Sequence, residues 1–159
     1  ALGGRGWAEM PSQPDWNPED DLTISLWVNM EDLRGMPVLV CKGAWQQAGY
    51  FLQIYNRQIR FYIAGVDTLD AGNPKPQKWQ MLTAVYGQGQ MRIYIDGKQV
   101  GRKRVTGNPT PSHEPLLLGR YGLSDEVYFV RGLMDEIRIY DVPLAAEEVQ
   151  EIYTATKRE

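Results

Sequence analysis

Apolar residues in this chain come in short runs that alternate with period two and stop at Gly, Pro, Asn or Asp. Alternation of that kind sends every second side chain to one face of an extended strand and leaves little room for helix. It predicts strands over residues 7–10, 22–30, 37–42, 50–55, 59–63, 79–86, 91–95, 98–105, 116–119, 128–133 and 134–140. The stretches 70–78 and 106–115, rich in Pro, Gly and Asn, read as loops. Only the C-terminal stretch departs from the pattern. Beyond Pro143, the residues Leu144, Val149, Ile152 and Tyr153 fall on one stripe of a short helix, with Glu147 and Glu148 toward water. That helix is expected to pack over one edge of a sandwich. With no internal repeat and no low-complexity tract, residues 1–159 read as a single all-β antiparallel domain.

Hairpin parity then decides which side chains point inward, because residues paired across antiparallel strands share a face. Asp96-Gly97 is the strongest short hairpin signal, and it pairs Ile95 with Lys98 and Ile93 with Val100. A loop at 87–90 pairs Tyr86 with Met91, Ala84 with Ile93 and Leu82 with Ile95. A two-residue turn at Asn56-Arg57 pairs Ile54 with Ile59, Leu52 with Phe61 and Tyr50 with Ile63. Those faces are apolar throughout and form the expected core. The opposite faces carry Phe51, Gln53, Tyr55, Arg60, Tyr62, Thr83, Val85, Arg92 and Tyr94, an aromatic beside a planar hydrogen-bonding group on strand after strand. A sugar ring offers an apolar C–H face to Tyr or Trp and a rim of hydroxyls to Arg, Gln, Asn or Asp, so such a surface suits carbohydrate. Cross-strand pairing of good strand formers accounts for the same pattern without a ligand.

Composition narrows the partners. The net charge is −3, from 17 Lys+Arg against 20 Asp+Glu, with no basic stripe, which excludes nucleic acid held mainly through phosphates. No apolar run approaches the roughly 20 residues that span a bilayer. The first residues, Ala1 to Gly6, lack the layout of a signal peptide, and the expectation is a soluble domain cut from a longer chain. A single cysteine, Cys41, excludes an internal disulfide and reads as a small buried apolar residue.

Several segments together resemble the laminin-G-like, concanavalin A-type jelly roll, in the bacterial form appended to carbohydrate-active enzymes. They are Leu22 to Val28, Lys78 to Leu82, the Ile93 to Lys98 hairpin with its Tyr-x-Asp-Gly, Leu116 to Arg120, and Gly132 to Tyr140 followed by Pro143-Leu144 and Glu148. The resemblance implies two curved antiparallel sheets with a short C-terminal helix, ligands on the concave face or its rim loops, and glycan binding without turnover. It also implies a calcium ion in many relatives. Asp135 matches the Asp of the family's Asp-Glu strand and is the candidate structural Ca²⁺ ligand, with backbone carbonyls of Gly3 to Gly6 as partners. Arg5 stands where calcium-holding relatives often have Asp, and an Asp capping backbone N–H groups is the equal alternative.

Catalysis is not expected. Sandwich glucanases resembling this fold carry Glu-x-Asp-x-x-Glu on one strand, which is missing here. Asp135-Glu136 and Asp125-Glu126 are neighbours whose side chains diverge on a strand, and His113, the sole histidine, sits in a Pro-rich loop. Of the tryptophans, Trp7, Trp27 and Trp79 are expected in packing roles and Trp16 tucks an N-terminal loop against the body. Trp45 differs, standing in a flexible polar loop at 42–49, and is the best single stacking candidate.

The expectation is therefore a non-catalytic carbohydrate-binding module, monomeric and extracellular or cell-surface as part of a larger secreted protein. It would attach catalytic or adhesion domains of the same chain to a polysaccharide or oligosaccharide. Trp45, Tyr55, Tyr62, Tyr94 and Tyr121 would stack, while Gln47, Gln53, Arg60, Arg92 and Arg120 would contact hydroxyls or carboxylates, the arginines favouring an acidic or richly hydroxylated glycan. The rivals are a protein-binding adhesion or spacer module and a lyase or hydrolase with a non-standard site.

Overall fold

A computed structural model describes residues 6–122 and 125–157. Its eleven strands form two antiparallel sheets, as the alternation requires, and one α-helix follows them. One sheet has six strands in the order β1 (Ala8–Met10), β10 (Leu116–Leu118), β3 (Val38–Ala44), β4 (Ala48–Tyr55), β5 (Gln58–Ile63) and β6 (Asp67–Ala71). The other has five, in the order β11 (Gly132–Tyr140), β2 (Leu22–Met30), β7 (Gln80–Gly87), β8 (Gln90–Ile95) and β9 (Lys98–Arg104). Between them lies the main core, in which Ile24, Leu26, Leu52, Ile54, Ile59, Phe61, Leu82, Ala84 and Ile93 are fully buried. Alternate residues of every inner strand thus leave water, and burial of that apolar surface, at about 25 cal/mol per Å², is the main favourable term.

The expected pairings hold on the β4–β5 and β7–β8 hairpins, from Tyr50 opposite Ile63 to Leu82 opposite Ile95. Asn56 and Arg57 have φ of +48° and +64°, and Asp96 and Gly97 of +52° and +76°, as two-residue turns between twisted strands demand. The β7–β8 loop is tighter than expected, since Gly87 pairs with Gln90 around a turn at Gln88-Gly89.

Four expectations fail. Ile93 faces Gly101 rather than Val100, because Val100 bulges out of β9. The packing explains the bulge: a Cβ on residue 101 would lie 2.2 Å from the Cβ of Ala71, so only glycine lets β9 approach β6. Residues 67–71 form β6 even though two aspartates, depleted in strands, disguise it. Residues 128–133 are not a separate strand. Glu126–Tyr128 is a 3₁₀ turn, and β11 runs unbroken from Gly132 except for one extra residue between Asp135 and Arg138. Finally, the helix α1 (Ala146–Thr156) lies across the outer face of the five-stranded sheet and not over an edge.

The helix is fixed there by specific contacts. Val149 is fully buried, and Leu144, Ile152 and Tyr153 join it against Trp27, Met81, Val85 and Tyr94. The Trp27 indole donates to Thr156 Oγ1 at 2.8 Å and stacks on Tyr153 with ring centroids 5.8 Å apart. Thr23 Oγ1 donates to the carbonyl of Val142 and accepts from the N–H of Leu144, fastening the approach to the helix. Glu148 accepts the N–H of Ala145 at 2.7 Å, so it stabilises the first turn, where orphan donors sit.

Candidate functional site

Two outer faces exist because there are two sheets, and the expected aromatic surface is divided between them. Arg92 and Tyr94 belong to the outer face of the five-stranded sheet, on which α1 packs. Tyr94 is buried, and Arg92 Nη2 lies 3.5 Å from the carbonyl of Leu144. They share no sheet face with Arg60 and Tyr62, and Tyr94 lies beneath the helix.

The six-stranded sheet keeps its outer face partly open. Register builds that face in rows. Leu117, Cys41, Phe51 and Tyr62 stand opposite one another on successive strands, and next to them run Val38, Gln53, Arg60 and Asp70. The first row is a second small apolar cluster in which Cys41, Phe51 and Tyr62 are buried. Burial pushes the Cys41 thiol up to about 12, so it stays protonated and inert. Phe51 and Tyr62, expected to face water, form a dry floor instead, with ring centroids 4.7 Å apart.

Above this floor stands Trp45. It is 40% exposed, and its ring lies 4.6 Å from that of Tyr62 and 5.8 Å from that of Phe51. The segment carrying it is no loose loop but a three-residue connection between β3 and β4, closed by the N–H of Gln47 donating to the carbonyl of Ala44. Two tyrosine hydroxyls pin its tip: that of Tyr121 accepts the N–H of Trp45 at 2.9 Å, and that of Tyr62 accepts the N–H of Gln46 at 2.8 Å. Gln46 has φ of +57°, and satisfaction of both N–H groups offsets the cost of that backbone.

Trp45 forms one wall of a groove of about 460 Å³, with Tyr55, Tyr121 and Tyr128 around it and Phe51 and Gln53 beneath. Tyr121 and Tyr128 meet with centroids 5.2 Å apart. Gln53, nearly buried, donates through Nε2 to the carbonyl of Met36 at 3.0 Å, which orients its amide. The guanidinium of Arg60 lies 3.6 Å over the ring of Tyr55 and 5.6 Å over that of Trp45. Its Nε and Nη2 bind both oxygens of Asp70 at 2.7 and 2.6 Å, and those hydrogen bonds raise the already high pKa of Arg60.

Gln47 and Arg120 line a neighbouring hollow of about 610 Å³ that shares Tyr121 with the groove and also contains His113 and Glu114. Arg120 is committed elsewhere, 3.7 Å over the ring of Trp7 and 3.4 Å from Glu9. Trp7, expected in the core, is thus an exposed ring beneath a guanidinium. The structure therefore brings together Trp45, Gln53, Tyr55, Arg60 and Tyr121 in one groove, with Tyr62 below it, Gln47 and Arg120 beside it, and Arg92 and Tyr94 on the far side of the molecule. Sequence reasoning missed Tyr128 and Phe51 as groove residues. Cross-strand register opposite Tyr62 could have found Phe51, whereas Tyr128 arrives through a 3₁₀ turn that leaves no periodic signal.

A larger hollow of about 1070 Å³ opens where β6 and β9 meet, lined by edge-strand groups such as Asp70, Lys98 and Arg102. It is shallow, and among the described residues of its walls Tyr153 alone is aromatic.

Asp135, the expected calcium ligand, stands on β11 opposite Trp27. Calcium needs six to eight oxygens, and no group of three or more His, Cys, Asp or Glu converges anywhere among the described residues. Asp135 Oδ1 instead accepts the N–H of Glu136, whose φ is +52° at the β11 irregularity. Gly3 to Arg5, the other half of the expected ligand set, lie outside the described residues.

The fold and the groove together describe a jelly-roll sandwich of lectin type. Residues 2–150 match the sequence profile of the concanavalin A-like lectin/glucanases superfamily, in its laminin G division, and the chain belongs to that family. No curated protein matches significantly. Among solved structures, a protein from Bacteroides ovatus provisionally assigned as carbohydrate-binding shares 14% identity over 94% of this chain and 45% of its own, with a TM-score of 0.77. The binding domain of Paraclostridial Mosquitocidal Protein 1 shares 16% over 94% of this chain and 41% of its own, with a TM-score of 0.74. Botulinum neurotoxin type C, which depends on two ganglioside molecules to get into cells, shares 11% over 96% and 40%, with a TM-score of 0.71. At such identities the likeness is one of fold, and the chain spans less than half the length of these structures. Among the described residues no helix is long and apolar enough to cross a membrane.

Proposed function

We propose that the chain is a non-catalytic carbohydrate-binding module whose sugar site is the groove beside Trp45, and that it holds a larger extracellular protein at a polysaccharide. The observation that carries this reading is the exposed indole over a dry aromatic floor, on a backbone turn that two tyrosine hydroxyls pin. The turn that carries it is held before any ligand arrives and the ring already packs on Tyr62 and Phe51, which lowers the conformational freedom that stacking would cost. Gln53 presents an oriented amide at the base of the same groove, matching a ring of hydroxyls. The provisional carbohydrate-binding assignment of the Bacteroides ovatus protein and the ganglioside dependence of botulinum neurotoxin type C are consistent with this use of the fold.

Among the described residues the groove walls offer no carboxylate pair for hydrolysis. Burial raises the pKa of the Tyr121 hydroxyl, the unfavourable direction for a tyrosine acting as a lyase base. A glycan array at millimolar sugar tests the reading. Binding that disappears in Trp45→Ala and Tyr55→Ala, with the fold intact by circular dichroism, is the expected result. Turnover of any bound glycan would overturn the non-catalytic reading, and binding untouched by both substitutions would move the site elsewhere.

A further inference from the structure

The charge balance of the groove narrows what it can take. Among the described residues Arg60 is the only ionised side chain in its walls, and its charge is already matched: both Asp70 oxygens receive its Nε and Nη2, while its flat face is spent on Tyr55. Cross-strand register places Arg60 directly opposite Asp70, so this pairing is built into the sheet. With the Arg60 side chain only 17% exposed, a ligand carboxylate would have to displace Asp70 from a bidentate pair to gain the same bonds. Nearby, Arg120 has Glu9 at 3.4 Å and its face on Trp7. What remains accessible is aromatic surface, an amide and tyrosine hydroxyls, all suited to C–H faces and neutral hydroxyls.

We infer that the groove is selective for a neutral glycan and discriminates against uronate, sialyl and sulfated sugars. This inference rests on the sugar-binding reading above. It reverses the expectation that the arginines favour an acidic glycan, because side-chain pairing rather than arginine count sets the accessible charge.

The test compares neutral hexa-oligosaccharides of glucose, xylose and mannose with hexuronate and sialylated oligosaccharides, by calorimetry at low and high NaCl. Wild type is expected to bind a neutral member at least tenfold more tightly than any acidic one, with affinity changing less than about twofold with salt. Asp70→Asn, which leaves Arg60 without its counter-charge, is expected to gain about fivefold or more toward the hexuronate, and that gain should fade in high salt. Wild-type preference for an acidic oligosaccharide, weakening about tenfold with salt, would overturn the inference while leaving sugar binding in place. Silence toward every oligosaccharide overturns the sugar-binding reading and this inference with it.

Discussion

The two outer faces of the sandwich carry nearly the same chemistry and meet opposite fates. On the five-stranded sheet, Trp27, Met81, Val85 and Tyr94 lie under α1, and Arg92 beside them reaches the carbonyl of Leu144. On the six-stranded sheet, among the described residues, Phe51, Tyr62 and Leu117 with Arg60 nearby have no helix over them, and Trp45, Tyr121 and Tyr128 lean across. An aromatic-rich outer face therefore signals a surface that needs cover, and not yet a ligand. Where the chain supplies the cover itself, the face becomes core. Where it supplies only a partial rim, the uncovered aromatic edge is left to meet something else.

The sharpest way to break this comparison is to charge the covered face. Val149→Asp puts a carboxylate into a fully buried apolar position of α1 with no partner, and is expected to cost about 3–5 kcal/mol or to unfold the domain. Chemical denaturation reads that loss directly. If Val149→Asp cost under about 1 kcal/mol, the helix would not be integral cover, and Arg92 and Tyr94 would return as ligand candidates.

Next in size is a pH effect on the floor of the open face. Cys41 lies beneath the groove with its thiol pushed from 9.0 to about 12 by burial. The folded pKa is the higher, so the stabilisation is complete below pH 9.0 and is lost as pH climbs toward 12. At about 1.4 kcal/mol per pH unit, stability near pH 10.5 should have fallen by about 2 kcal/mol relative to Cys41→Ala, which lacks that slope. Neighbouring Lys42 acts oppositely, because burial lowers its pKa, but it is common to both proteins and drops out of the difference. Parallel alkaline curves for the two would mean the floor is wet.

Trp45→Ala sharpens the contrast from the other side. The indole is 40% exposed, so its removal is expected to cost under about 1 kcal/mol of stability, yet at least tenfold in glycan affinity. Tyr94→Ala should do the reverse, costing about 3 kcal/mol of stability through the hole it leaves, with no effect on binding by the molecules that remain folded.

How much of this was legible beforehand follows the range of the interactions. The inner core could be read from two hairpins, since Ile54 opposite Ile59 and Ala84 opposite Ile93 depend only on local turn chemistry and period two. Parity also showed correctly that Arg60 and Tyr62 share a face, and so do Thr83 with Tyr94. It could not say that these pairs sit on different sheets, because strand order is set by contacts far apart in sequence. Nor could it show Asp70 opposite Arg60, since β6 is written in residues that look like loop. Trp45 stood out as an isolated aromatic, but its rigidity comes from Tyr121, 76 positions away along the chain.

The smallest expected effect concerns Asp135, on the covered sheet opposite Trp27. Its Oδ1 holds the N–H of Glu136 where β11 takes in an extra residue, a task a neutral acceptor can share. Adding a chelator should therefore move the melting temperature by less than about 1 °C, since a ligand bound only to the folded state is what stabilises by mass action. Asp135→Asn should retain that acceptor and stay close to wild type, while Asp135→Ala loses it at about 1 kcal/mol. A chelator-induced drop of several degrees, abolished equally by Asn and Ala, would instead make Asp135 a calcium ligand completed by residues 3–6. The covered face would then hold an ion as well as a helix, and the contrast between the two sides of the sandwich would be one of metal as much as of cover.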